Sequence, residues 1–291
     1  MIRQYPFQGE YFTLSSGHKL HYLHEGDRNK ESVIFLLHGN PTWSFFYRRL
    51  IPMLMRKHRV VAVDNLGMGL SDKPRATDYA YTLENHIQNL CELKNFLQVK
   101  RFSLVMHDWG GAIGMGMARL YPKEVERLVV MNSAAFRSLD IPWRIMLGKM
   151  PLLGRFLISN LNLFAKGALV MAMKRPPSPE VVKGFLYPYE GDKSNRDAIY
   201  AFVQDIPLTK KHPSYQTLLE IEKSLALFAG KSIPKLFLWG GRDFCFHQGF
   251  LKRWQQIWPG PKCIVYEKAG HYLLEDAYPR VQREIYDFFS C

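Results

Sequence analysis

The chain has few cysteines, and none of them stand together. Cys91, Cys245, Cys263 and Cys291 form no CxxC pair, so neither a zinc site nor a disulfide framework is expected, and the four read as reduced thiols. The opening stretch "MIRQYPFQGEYFTLSSG" lacks the continuous apolar core of a signal peptide, which makes the cytoplasm the expected address. Basic residues outnumber acidic ones, 39 to 26, giving a net charge of +13. They form no dense block and no nucleic-acid-binding motif, so nucleic acid is not an expected partner. Internal repeats and low-complexity tracts are absent as well.

A lipid-spanning segment is also missing. The most apolar string, "LLGRFLISNLNLFAKGALVMAM" at 152–173, is interrupted by Arg155, Asn160, Asn162 and Lys166, which suits an insertion helix with a solvated basic face better than a membrane span. From Ile141 to Arg175 there are six basic residues and no acidic one. That stretch leaves room for weak contact with a membrane surface, a long-chain substrate or a protein complex.

What is present is a β/α rhythm. "SVIFLLHG", "VVAVDNLGMG", "FSLVMHDWGG" and "LVVMNSA" are β-branched runs ending in small or polar turns, separated by helix-like stretches. In "TLENHIQNLCELKNFLQ", Leu83, Ile87, Leu90, Leu93 and Leu97 fall at helical spacing. Strands alternating with helices predict an α/β fold with a mostly parallel sheet and helices on both faces. After Asn132 the rhythm stops, and it resumes at "IPKLFLWGGRD" and "KCIVYEKAGH". The expected organisation is a core of residues 1–135 and 230–291 with a helical cap, 136–229, inserted after the sixth strand of eight.

Three polar residues stand at expected C-terminal strand ends, where open parallel sheets hold ligands. Asp108, Asp243 and His271 follow in the order nucleophile, acid, histidine of an α/β-hydrolase. Singly they read as a helix cap, a loop residue and one of ten histidines; jointly, in this order, they read as a catalytic triad. Asn132 follows the strand after the elbow, but its amide cannot balance an imidazolium, so Asp243 is the acid candidate. The loop "HGNPTWS" and the residue after the nucleophile are expected to supply oxyanion-hole N–H groups. Those residues, Asn40 and Trp109, also carry neutral side-chain donors suited to a leaving anion such as halide.

"HGNPTWS", "DNLGMGLSDKP", "VMHDWGGAIG", "WGGRDF" and "AGHYLLEDA" together resemble the haloalkane dehalogenase family of α/β-hydrolases across most of the chain. Epoxide hydrolases resemble the elbow motif but typically place a bulky residue where Asn40 stands. Asn132 with Asp243 resembles the subgroup that takes its acid after the seventh strand. The insertion strings "FLYPYEGDKSNRDAIYAFVQDIPL" and "HPSYQTLLEIE" are further similar to bacterial β-lactone decarboxylases of long-chain olefin biosynthesis. One departure is Met106, where the elbow usually has a small residue.

The resemblance implies an enzyme without metal or organic cofactor acting on a small hydrophobic substrate. A carboxylate is a poor nucleophile toward esters and amides, but it displaces a good leaving group from saturated carbon and forms an alkyl ester with itself. For a haloalkane, Asp108 attacks, Asn40 and Trp109 hold the halide, His271 activates water and Asp243 supports the imidazolium. The alternatives are β-lactone decarboxylation through the same ester and epoxide opening. The latter needs an acid, with Tyr187, Tyr189, Tyr200 and Tyr215 available in the insertion; a non-catalytic binding role would require a broken triad.

Overall fold

The computed structural model describes residues 4–230 and 232–290. Cys291 and the first three residues of the N-terminal stretch lie outside the described residues. Eight strands form one sheet: β1 (Glu10–Thr13), β2 (Lys19–Glu25), β3 (Ser32–Leu37), β4 (Arg59–Val63), β5 (Arg101–Asp108), β6 (Val125–Ser133), β7 (Lys235–Gly240) and β8 (Lys262–Tyr266), in the order β1-β2-β4-β3-β5-β6-β7-β8. β2 runs antiparallel to β1 and β4, while every other pairing is parallel.

The central strands are apolar at almost every position because both faces of the sheet are covered. Successive side chains alternate between faces, and they sort into two cores. Val33, Phe35, Leu37, Leu104 and Met106 pack with Leu83, Ile87 and Leu90 of the helix Leu83–Phe96. Ile34, Leu36 and Val105 pack on the other face with Val281, Ile285 and Phe289 of the helix Arg280–Ser290. The helix Leu83–Phe96 begins where Thr82 accepts a hydrogen bond from the Asn85 N–H, 3.3 Å away, satisfying one orphan donor of its first turn.

Between β6 and β7 the chain is helical, with segments including Trp143–Lys149, Leu163–Met171, Pro179–Leu186, Asp197–Gln204 and Tyr215–Ser224. The string 152–173 is not one helix, as expected from its composition, but three short pieces: Leu153–Arg155, Phe156–Asn160 and Leu163–Met171. The break falls at Asn162, whose φ of 54° is left-handed, a conformation asparagine tolerates better than most residues. Among the described residues no helix is long and apolar enough to cross a membrane.

β5 turns into the helix Trp109–Leu120 at Asp108, with φ 52° and ψ −127°. Met106 is accommodated two residues earlier because Gly114 faces it. A β-carbon at Gly114 would stand 2.8 Å from the Met106 sulfur and 2.8 Å from Leu37 Cδ1, closer than van der Waals packing allows. Gly114→Ala is therefore expected to destabilise the protein by about 1–3 kcal/mol through overpacking. Met106→Ala in the same chain should recover part of that loss, so a double-mutant cycle by urea denaturation should show coupling rather than additivity.

Candidate active site

Four loops deliver the predicted residues to one end of the sheet: Asn40 follows β3, Asp108 ends β5, Asp243 follows β7 and His271 follows β8. Asn40, Asp108, Asp243 and His271 are all buried and Trp109 is half-buried. His271 Nδ1 lies 2.7 Å from Asp243 Oδ2, and its Nε2 lies 3.5 Å from Asp108 Oδ2. The structure thus brings together all three members read from chain order.

Asp108 is held asymmetrically. Its Oδ1 accepts the backbone N–H of Asn40 at 2.8 Å, and the Trp109 backbone N–H also donates to the carboxylate. The approach is so close that a β-carbon on Gly39 would fall 1.9 Å from Oδ1, so only glycine fits there. The Ser133 hydroxyl donates to the Asp108 carbonyl at 2.5 Å and steadies the turn. Oδ2 is left facing His271.

Burial alone would raise the Asp108 pKa, but the His271 hydrogen bond and charge, with the Trp109 N–H, outweigh it and hold the carboxyl below its ordinary value. For His271, burial acts to lower the pKa, and the Asp243 charge together with hydrogen bonds to Asp108 and Asp243 reverses this, raising it to about 10. The two carboxylates thus favour the protonated imidazolium between them.

Asn132 has a role that sequence reasoning missed. Its amide cannot serve as the acid, but its Nδ2 donates to Asp243 Oδ2 at 2.8 Å while its Oδ1 accepts the Gly240 N–H at 2.8 Å. The amide thereby fixes the carboxylate to the end of β7. A φ of 37° at Asn132 accompanies that arrangement. His107 was missed too. Its Nε2 donates to the His271 carbonyl at 2.9 Å, and its ring lies between Phe46 and His271, 4.4 Å from each. Burial and the neighbouring imidazolium lower its pKa to about 3, so it is neutral. Its position beside Asp108 was the available signal.

Asn40, Asp108, Trp109 and His271 line a cavity of about 270 Å³, together with Ile145, Leu157, Phe164, Val203 and other apolar side chains of the insertion. Asn40 Nδ2 donates one hydrogen to the Ile199 carbonyl at 3.0 Å. The Trp109 indole N–H has no partner among the described residues. Of the four insertion tyrosines considered for epoxide opening, none lines the cavity. Tyr189 is buried with its hydroxyl toward the Thr42 carbonyl, and the Tyr215 hydroxyl accepts from Arg137.

Residues 32–278 match the model of the alpha/beta hydrolase fold family. The chain belongs to that family. A relative within it, the cis-3-alkyl-4-alkyloxetan-2-one decarboxylase of Shewanella oneidensis MR-1, is 38% identical over 290 residues, covering 98% of this chain and 89% of that protein. Haloalkane dehalogenase 2 of Mycobacterium tuberculosis H37Rv is 27% identical, covering 98% and 96%. In fold, the chain matches the crystal structure of haloalkane dehalogenase DbeA from Bradyrhizobium elkani with a TM-score of 0.86 at 24% identity, over 98% of both chains. These family members are named as enzymes, and this chain is an α/β-hydrolase-fold enzyme with an aspartate at the elbow.

The charge on His271 depends on both carboxylates, so Asp108→Asn should lower its pKa from about 10. Titration followed by histidine NMR checks this. Because the folded-state pKa lies above the ordinary histidine value of about 6.5, the pairing should add stability that is fully present below pH ~6.5 and is lost as pH rises through about 10. Denaturation of the wild type across that window should show the decline, and Asp108→Asn should flatten it.

Proposed function

We propose that the protein is a β-lactone decarboxylase that uses Asp108 to attack the saturated ring carbon of a cis-3,4-dialkyl oxetan-2-one. The observation that carries this reading is the division of labour within the Asp108 carboxylate. Oδ1 is fixed by the Asn40 backbone N–H, the Trp109 backbone N–H also donates to the carboxylate, and Oδ2 is left as the nucleophile beside an apolar cavity. Excluding water from such a cavity strengthens a carboxylate nucleophile.

The electron accounting is complete without a cofactor. Oδ2 bonds to the ring carbon that bears oxygen, that carbon–oxygen bond breaks, and its electrons leave on a free carboxylate. The Asn40 amide and Trp109 indole are neutral donors suited to receive that anion. Loss of carbon dioxide then leaves an electron pair that forms the carbon–carbon double bond and expels Asp108. Neither water nor a proton is consumed. Support for this substrate over a haloalkane comes from the 38% identity to the Shewanella oneidensis decarboxylase, against 27% to the dehalogenase.

Haloalkane hydrolysis is the second reading, favoured by the two neutral donors and by the same covalent ester. It requires His271 to become a base. Alkylation neutralises Asp108, which removes one of the two carboxylates that keep His271 protonated, so the imidazole gains that capacity once the ester exists. The tetrahedral adduct at the Asp108 carbonyl would then develop its charge on Oδ1, already held by the Asn40 backbone N–H. In both readings residues 136–229 serve as the cap over the site, and a small apolar molecule is the substrate.

Replacing Asn40 by Ala or Trp109 by Phe removes a side-chain donor and leaves the backbone N–H in place. Each should slow leaving-group departure roughly 10- to 1000-fold, by analogy with single oxyanion-hole deletions, measured as single-turnover rates. His271→Ala separates the readings. With a bromoalkane it should accumulate a stable adduct on the Asp108 peptide, detectable by mass spectrometry, because water is no longer activated. With a cis-dialkyl β-lactone it should still release alkene and carbon dioxide. If the wild type releases bromide catalytically and forms no alkene, the dehalogenase reading replaces the decarboxylase one; an adduct on neither substrate would sink the covalent mechanism.

A further inference from the structure

Apolar side chains are unevenly distributed over the surface. Eleven of the seventeen large exposed ones among the described residues fall between Leu139 and Val170. Leu152 is 86% exposed, Val170 79% and Trp143 66%. Scattered exposed leucines need no explanation, but a concentration in one segment marks a candidate interaction surface. The helix Leu163–Met171 turns Ala165, Ala168 and Leu169 inward and leaves Leu163, Lys166 and Val170 exposed. Spaced three and four residues apart, those three form one outward stripe in which a lysine lies between two apolar side chains.

The segment's own charge has one sign. Ile141 to Arg175 contains no acidic residue, and the carboxylates of Asp140 and Asp197 are engaged by His247 at 2.6 Å and Arg155 at 3.7 Å. Lys166, Lys174 and Arg175 gather around a shallow apolar groove with Val170 and Met173. Arg144 sits over the Trp143 ring, 5.2 Å from its centre. The mouth of the catalytic cavity opens here as well, since Arg144, Leu147 and Leu163 both line the cavity and are exposed.

We propose that this face docks on an anionic lipid bilayer and that the cavity takes its substrate directly from the membrane. Short helices with exposed apolar and basic side chains lie in an interface without crossing it, long basic side chains reach the headgroups while their stems stay among apolar groups, and tryptophan favours that depth. A second copy of the chain is a poorer occupant, because a two-fold pairing would set the same basic face against itself. The proposal stands whether Asp108 opens a lactone or displaces a halide. It assigns the substrate to the membrane-soluble class.

Co-sedimentation tests it, using vesicles of phosphatidylcholine alone and of phosphatidylcholine mixed with phosphatidylglycerol. The wild type should sediment with the mixed vesicles, less so with the neutral ones, and less again at high salt. The triple variant Lys166→Gln, Lys174→Gln, Arg175→Gln should partition roughly 100-fold more weakly onto the mixed vesicles, from about fivefold per basic residue at an anionic surface. Leu152→Ser with Val170→Ser should weaken binding to both kinds. None of these five residues touches the catalytic cavity, so turnover of a short, water-soluble substrate should stay at the wild-type rate, while turnover of a long-chain substrate embedded in the mixed vesicles should fall. Absence of vesicle binding overturns the proposal, and so does binding that both variants retain. A concentration-dependent dimer abolished by Leu152→Ser and Val170→Ser, without lipid binding, would assign the face to a second copy instead.

Discussion

Enclosing an ionised carboxylate in protein is expensive unless its lone pairs meet donors and its charge meets an opposite one. The buried charge of Asp108 imposes that requirement on its surroundings from three sides. The Asn40 backbone N–H answers Oδ1, His271 faces Oδ2, and the Trp109 backbone N–H donates to the carboxylate as well. Gly39 exists to let the first donor come close. The same imidazolium serves Asp243, so a single positive charge is shared by two acids, and the second acid relies further on neutral donors from Asn132 and the Cys245 backbone N–H. Removing any one of these would leave a buried charge short of partners.

That arrangement also makes the protonation of His271 conditional. While Asp108 is an anion it favours the protonated histidine; were Asp108 esterified, as the proposed reactions require, half of the reason would disappear. A decarboxylation that ends by expelling Asp108 restores the anion and the proton's hold together, whereas hydrolysis needs the interval between them. One set of side chains is thus compatible with both proposed outcomes.

The strands and the three predicted site residues were legible because each depends on local pattern plus a general rule. Apolar runs ending in small residues mark buried parallel strands, and such sheets hold ligands at their C-terminal ends. Asn132 illustrates what was not legible. Its amide reaches Asp243, 111 residues away, from a positive φ that no local motif announces. The neutral His107 depends likewise on burial between Phe46 and His271, an environment assembled only by the tertiary fold. In 152–173 the apolar content suggested one helix, because composition does not reveal that Asn162 bends the chain.

The hydrogen bond from the Asn40 amide to the Ile199 carbonyl joins the loop after β3 to a helix of the insertion across 159 residues of sequence. It makes the insertion an incomplete module. A segment transplanted from another family member would have to present a carbonyl at that point, or the amide would be free to rotate and offer its oxygen, rather than its nitrogen, to a departing anion. Diversification of the insertion is therefore constrained at one main-chain atom, however freely the surrounding apolar side chains vary.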